Sequence, residues 1–574
     1  MKSTGEYNTA FGSFCLTDNT TGTKNTAVGR ACLAYNTTGN YNVAMGYNCM
    51  VDNTEGHSNT VIGYLAGQNI TTGDYNVAVG HDALAAATTA GQLTAVGRAA
   101  LANNTTGDQN VACGYGTLIN NTTGYSNTAL GYSALTTNTT GISNTALGRD
   151  ALYYGNGSDN TAVGNEALEN NTASNNTAVG SDALHANTTG AYNTAVGRLA
   201  GSAITTGANN VAVGNCMQAC TTGGLNTAMG NGALDSVTGN SNNSAFGNQC
   251  LEANTASNNN AFGYKAMEAN TSGEGSSAFG HACLQNNNAN YSTAFGYEAM
   301  QANTTGGSNV AFGKQALEAN TTAGNNTAIG HQALKLATDS EKCTAVGADA
   351  GAQITTGDNN TVIGYIAGYD MTTGYKNTCV GSYAGHNLTT GHSNIIIGHY
   401  SSGDTLTTGN TNVILHGNVS AAASEYEFVI GPIAGKGNGT FYAGGTNGAY
   451  NQANNSSWST TSDRRIKKNI VDNNDGLSKI NSIRVRNFEY SEKDEIDYAE
   501  FNEGINPDSI GVTEQKGTQL GVIAQEIQES LPDVVTQSTT GQYTVNPDNV
   551  TWYLVNAVKE LSAEIEQLKS QINN

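Results

Sequence analysis

Asn127-Thr128-Ala129-Leu130-Gly131-Tyr132-Ser133-Ala134-Leu135-Thr136-Thr137-Asn138-Thr139-Thr140-Gly141 is the stretch that decides the fold. It reads as Asn-Thr-Ala-Φ-Gly, then x-x-Ala-Leu, then x-x-Asn-Thr-Thr-Gly. The glycine closing its first segment recurs 24 times from Gly12 to Gly398, mostly every 17 residues and five times after 16. So strict a period marks a repeat architecture. Seventeen residues cannot hold two helices and a turn, but suit a rung of one or two short strands with tight turns. Alternation in the Thr-Ala-Val-Gly segment puts Thr and Val on one face and Ala on the other. In the Asn-Thr-Thr-Gly turn, Gly supplies positive φ and Asn bonds nearby backbone. One rung buries almost nothing, so stability has to come from stacking. At ~4.8 Å per rung, 24 rungs predict a rod roughly 115 Å long.

The variable positions fit a stacked core. Three residues after the anchor glycine stands Ala100, Ala134, Ala151, Ala167 or Ala183, or else Cys15, Cys32, Cys49, Cys250 or Cys283. The next position holds Leu33, Leu101, Leu135, Leu168, Leu251 or Leu317, with Met50, Met267 and Met300 as substitutes. These predict a small and a large buried slot. A second rung type moves the large residue three places on: Ala66-Gly67 with Ile70, Ala200-Gly201 with Ile204, Ala350-Gly351 with Ile354. The cysteines read mainly as buried stand-ins for Ala. Cys216 and Cys220 lie four apart without a second pair, and no two-Cys spacing with histidine partners points to a metal. The Asn and Thr ranks read as hydrogen-bonding ladders rather than ligand surfaces. Acidic residues on the repeat edges, among them Glu166, Glu169, Glu252 and Glu318, read as solvated faces.

Composition divides the chain. Residues 1–461 hold 12 Lys+Arg and 26 Asp+Glu, whereas 462–574 hold 11 and 19 in a quarter of the length. The net charge of −22 and the low charge density argue against nucleic acid as partner, since phosphate binding needs clustered Lys/Arg. No run of ~18 apolar residues predicts a membrane span. The N-terminus shows no signal-peptide pattern, and the chain starts within a repeat at Tyr7-Asn8-Thr9, so the expectation is either a partial sequence or a chain that joins another fibre protein. All four prolines, Pro432, Pro507, Pro532 and Pro547, follow the repeats, as ladders of stacked strands require. We read residues 1–400 as the shaft. Residues 401–461, where the period fails, read as a β-rich neck with strands at Val413-Ile414-Leu415 and Phe428-Val429-Ile430. Residues 462–574 read as a small α+β domain. Its tail, from about residue 550, carries Leu554, Val558, Leu561, Ile565, Leu568 and Ile572 at 4-3-4-3-4 spacing, an a/d seam.

The Asn-Thr-Ala-Val-Gly-x-x-Ala-Leu units over about residues 8–400 resemble the head repeats of trimeric autotransporter adhesins. That family forms left-handed β-rolls in which three chains pack together, with a shorter period than here. The stretch Ser462-Asp463-Arg464-Arg465-Ile466-Lys467-Lys468-Asn469-Ile470 resembles the intramolecular chaperones of phage endosialidase tailspikes, the S74-type peptidases. Gly521-Val522-Ile523-Ala524-Gln525-Glu526-Ile527-Gln528-Glu529, Leu531-Pro532-Asp533-Val534-Val535 and Val555-Asn556-Ala557-Val558-Lys559-Glu560-Leu561 follow in that family's order. The resemblance implies a domain that drives trimer assembly and then cuts itself free between Thr461 and Ser462. Ser462 is the implied nucleophile and Lys467 the implied base, in one turnover. Asp463 is expected to orient and Arg464 to depress the lysine pKa, since an unaided hydroxyl is a poor nucleophile.

The fold expected is therefore mainly β, a solenoid shaft followed by a small α+β domain ending in a coiled coil. The function expected is a homotrimeric tail-fibre protein of a virion, made in the host cytoplasm and adsorbing to a glycan or surface protein of the host. Nothing calls for a cofactor. The alternatives are a bacterial trimeric surface adhesin with the same maturation domain, or a glycan-cleaving tailspike, which would require convergent carboxylates on the shaft.

Overall fold

The computed structural model describes residues 4–400, 402–431, 441–443, 449–451, 464, 467–492, 495–496, 517–537 and 542–573. The chain divides into two units, Met1–Thr461 and Ser462–Asn574.

The first unit is a parallel β-solenoid. Strands β1 (Thr9–Phe11) through β27 (Phe441–Ala443) pair parallel, each with the strand one rung on. The register follows the repeat: Thr161 lies on Thr177, Ala162 on Ala178 and Val163 on Val179. Each rung contributes one strand of three to five residues among the described residues. At ~4.8 Å per step the column is roughly 125 Å long.

The small and large slots are filled as the spacing predicts. Ala134, Leu135, Ala151, Leu152, Ala167 and Leu168 are all fully buried. In the second rung type Ile70, Ile204 and Ile354 are equally buried. A Cβ on Gly67 would come within 2.9 Å of Ile70 Cδ1, so the glycine leaves the space that the displaced isoleucine fills.

The backbone that achieves this is unusual. The slot leucines sit in the left-handed region, for example Leu135 at φ 54° and Leu168 at φ 53°. Such residues cost about 1–2 kcal/mol each. In exchange the Leu135 N–H donates to Ala151 O at 2.9 Å and the Leu168 N–H to Ala183 O at 3.0 Å. The next rung thus satisfies a turn that would otherwise be unpaired.

Two columns of buried asparagine complete the interior. The strand asparagine ties its rung to the next: Asn193 Nδ2 donates to Gly207 O at 2.8 Å, and its Oδ1 accepts from the Asn210 N–H at 2.9 Å. The turn asparagine runs in shorter ladders, such as Asn121 Nδ2 to Asn104 Oδ1 at 2.6 Å. These ladders stop where the next rung places an apolar residue in the slot, Ile70 after Asn53 and Ile204 after Asn187. The last Oδ1 of each is left without a hydrogen bond. Thr side chains join in, with Thr37 Oγ1 donating to Thr54 O at 2.8 Å.

Two expectations change. Parallel stacking does not end at residue 400, because β25 (Val413–Leu415), β26 (Phe428–Ile430) and β27 continue the same sheet. The rung length changes there, but stacking needs only a recurring three-residue strand and tolerates loops of varied length. The cap of this column is antiparallel, β28 (Ala449–Asn451) on β27. Cysteine, moreover, replaces more than Ala. Cys220 and Cys343 occupy asparagine slots, and Cys343 Sγ does part of that work by donating to Gly357 O at 3.2 Å. All ten thiols are free.

The second unit is small. Helix α1 (Leu477–Asn481) precedes an antiparallel pair, β29 (Arg486–Phe488) with β30 (Gln519–Gly521). Helix α2 (Ala524–Gln528), a 3-10 turn at Pro532–Val534 and the pair β31 (Val535–Gln537) with β32 (Tyr543–Val545) follow. Helix α3 (Pro547–Ile572) ends the chain, capped by Asn546, whose side chain accepts from the Asp548 N–H. The core is Ile527, Leu531 and Val534, against which Val522, Val545, Val550 and Tyr553 pack.

Candidate functional site

Arg464 and Lys467 lie on an exposed turn, with the Lys467 N–H donating to Arg464 O at 3.3 Å. Thr461, Ser462 and Asp463 lie outside the described residues. A lysine acts as a base at neutral pH only when desolvation or neighbouring cations disfavour its charge. Lys467 is exposed among the described residues.

Helix α3 carries two faces. One packs inward and ties the unit together. Ala557 is buried on it, and Tyr553 OH donates to Asp533 Oδ2 at 2.9 Å. Asn556 Nδ2 donates to Asn473 O at 2.7 Å, and Glu560 Oε2 accepts the Leu477 N–H at 2.7 Å. Glu560 therefore satisfies a donor in the first turn of α1, which lacks a side-chain cap at its own N-terminus. The sequence marks Glu560 within a motif but gives no sign of this role, since its partner lies 83 positions away. Arg486 and Glu526 pair at 2.9 Å, the guanidinium beside Glu526 holding that carboxyl below its usual range.

The other face of α3 is the predicted a/d seam. Leu554, Val558, Leu561, Ile565, Leu568 and Ile572 are 42–81% exposed among the described residues. Six large apolar side chains thus lie in one exposed stripe along the helix.

The shaft has an uncovered face of its own. The third residue of each strand from β1 to β26 points away from the core, and in all 26 strands it is apolar, from Phe11 and Val28 to Leu415 and Ile430. Leu130, Met229, Phe295 and Phe312 are 44–48% exposed. The first strand position, mostly Thr or Val, flanks this column.

For metals, Glu166, Glu169 and His185 are the group of described residues whose donor atoms converge, all within 4.8 Å. His185 Nε2 is 2.6 Å from Glu169 Oε2 and 3.9 Å from Glu166 Oε2, so His185 and Glu169 already occupy each other. Glu318 pairs with Lys335 at 3.6 Å. No helix among the described residues is long and apolar enough to cross a membrane.

In a comparison with protein-family models, residues 462–536 match the chaperone of endosialidase, the Peptidase_S74 family. A search of the curated proteins returns no match. The matched segment and the second structural unit both begin at Ser462. A chaperone domain of this kind at the end of a long β-solenoid shaft makes the molecule tail-fibre-like in its architecture.

Proposed function

We propose that this chain is a structural protein of a virion tail fibre, aligned as a homotrimer by its C-terminal chaperone, which then releases itself between Thr461 and Ser462. The observation that carries the reading is the chaperone match beginning at Ser462, at the end of a solenoid of 27 parallel strands. Two further features favour three copies over one. The seam of α3 is uncovered, and a unit of this length with only three core side chains and Ala557 buried among its described residues gains little stability alone.

In the release step the Ser462 hydroxyl attacks the Thr461 carbonyl carbon while the Lys467 amine takes the hydroxyl proton. The Thr461–Ser462 C–N bond breaks, and the lysine ammonium returns the proton to the departing Ser462 nitrogen. The resulting ester is hydrolysed by water, leaving a Thr461 carboxylate. The fold holds the reacting groups together, so no external substrate is bound. Release follows assembly in this reading, because alignment has to precede loss of the aligning domain. A long self-similar solenoid needs such a nucleus, since each rung fits many partners. The mature shaft would then present a host-contact surface to a glycan or surface protein.

The test is expression followed by intact-mass measurement. Wild-type protein yields a fragment starting at Ser462, while Ser462→Ala and Lys467→Ala remain full length. Cleavage persisting in both variants sinks the dyad.

A further inference from the structure

The apolar column on the outer face of the sheet is not uniform. In β15 (Ser244–Phe246), β16 (Asn260–Phe262), β17 (Ser277–Phe279), β18 (Thr293–Phe295) and β19 (Val310–Phe312) the third position is Phe in five successive rungs. Elsewhere it is Val, Ile, Leu, Met or Cys, apart from Phe11 at the first rung. The five rings stack face to face, with centroids 4.5, 4.7, 5.1 and 4.8 Å apart. Beside the first three rings the first strand position is Ser244, Asn260 and Ser277, and beside the last two it is the usual Thr293 and Val310. The block is a raised, rigid ridge on an otherwise level stripe.

The occupant of this stripe follows from its length. Twenty-six partly exposed apolar positions amount to on the order of 1,500 Å² per chain, well above the ~300–600 Å² of the largest patch on a typical monomer and above the ~800 Å² per partner of a standard interface. A surface that repeats every ~4.8 Å for 26 rungs is matched rung for rung only by another surface of the same period. A second copy of this chain has that period. In a closed symmetric assembly with its axis along the shaft, equivalent rungs meet at the same level.

We propose that the Phe246–Phe312 ridge is the register key of the assembled shaft. This rests on the trimer reading above and adds to it where alignment is checked. Along the Val/Ile/Leu/Met portions of the stripe, a slip of one rung exchanges near-equivalent side chains. At the ridge it sets Phe312 against Ile329 and Met229 against Phe246, with rings facing small residues and gaps at either end. Each further rung of slip adds another mismatched pair, until all five are misplaced. The C-terminal chaperone aligns the ends of the chains, and the ridge, over a hundred residues away, holds the alignment after the chaperone has left.

The test uses the full chain with p-benzoylphenylalanine in place of Ile329, one rung beyond the ridge. Photocross-links are mapped by mass spectrometry. Wild-type ridge protein is expected to cross-link between chains only near its own level, at Phe312, at Val346 and beside position 329 itself. Replacing all five phenylalanines with Val is expected to lower the in-register fraction several-fold. The five-fold Phe→Leu variant, which keeps apolar bulk for folding, is expected to do the same with an unchanged circular dichroism spectrum. An in-register pattern retained in the folded Leu variant overturns the key, since the chaperone then suffices. Inter-chain cross-links that are absent although light scattering shows trimers overturn the seam. A monomeric wild-type protein instead sinks the trimer reading itself.

Discussion

At the scale of single residues the shaft is governed by close approach. The anchor glycine of each rung has φ between 104° and 150°, and in nearly every rung a Cβ there would overlap the carbonyl of the next anchor glycine. Gly180→Ala is expected to destabilise the shaft by roughly 3 kcal/mol or more, combining backbone strain with a steric clash. Thermal unfolding checks this. Asn193→Ala strands the Gly207 carbonyl and the Asn210 N–H and is expected to cost about 2–4 kcal/mol. Asn193→Ser should cost less, because Ser276 and Ser292 already hold this slot with hydroxyls that donate to backbone. The buried thiols add a pH dependence. Burial pushes Cys250, Cys283 and Cys379 from 9.0 up to about 12. A raised thiol pKa means that the folded state keeps a proton that the unfolded chain releases. Shaft stability is therefore whole below about pH 9 and falls toward pH 12, by about 1.4 kcal/mol per pH unit for each such thiol. Chemical denaturation at stepped pH measures the slope.

At the scale of elements the decisive object is α3, where Leu561 and Leu568 lie on the uncovered seam and Glu560 on the inward face. Leu561→Glu with Leu568→Glu is expected to leave the chain monomeric in light scattering and, because release follows assembly, uncut. Glu560→Ala separates the two faces. It leaves the seam intact but removes the acceptor for the α1 N–H, so the unit is expected to lose about 1–3 kcal/mol while its trimers still form at high concentration. The seam was legible from sequence because its period is local. The cap by Glu560 was not, because it joins residues 83 positions apart and α1 carries no periodic signal of its own.

At the scale of the whole molecule the shaft is quasi-one-dimensional, so its stability is a sum over rungs and neighbour contacts. Deleting one complete rung, residues 181–197, joins Gly180 to Arg198 in the correct phase. The expected product is a folded shaft shortened by ~4.8 Å. Deleting residues 181–188 puts every following core residue out of its slot, and the expected product is insoluble or melts far lower. Circular dichroism melting and electron microscopy of fibre length decide between them. The proposed release would make the shaft's stability kinetic. Heated and cooled Ser462→Ala protein, which keeps its chaperone, is expected to regain its spectrum, whereas cleaved shaft is not.

The sequence by itself determined the solenoid, its register and its buried slots, because a repeat contacts only its neighbours and each contact recurs at a fixed offset. It also placed the apolar stripe of α3, and it placed the chaperone from three ordered motifs. Only the tertiary structure decided that stacking runs on through Phe441–Ala443, since pairing there depends on three-residue strands and not on the loop lengths that set the period. Only there, too, did the third strand position emerge as one uncovered apolar stripe with a ring-stacked ridge. A column of single residues 16 or 17 apart has no local pattern, and becomes a surface only when the rungs are laid on one another.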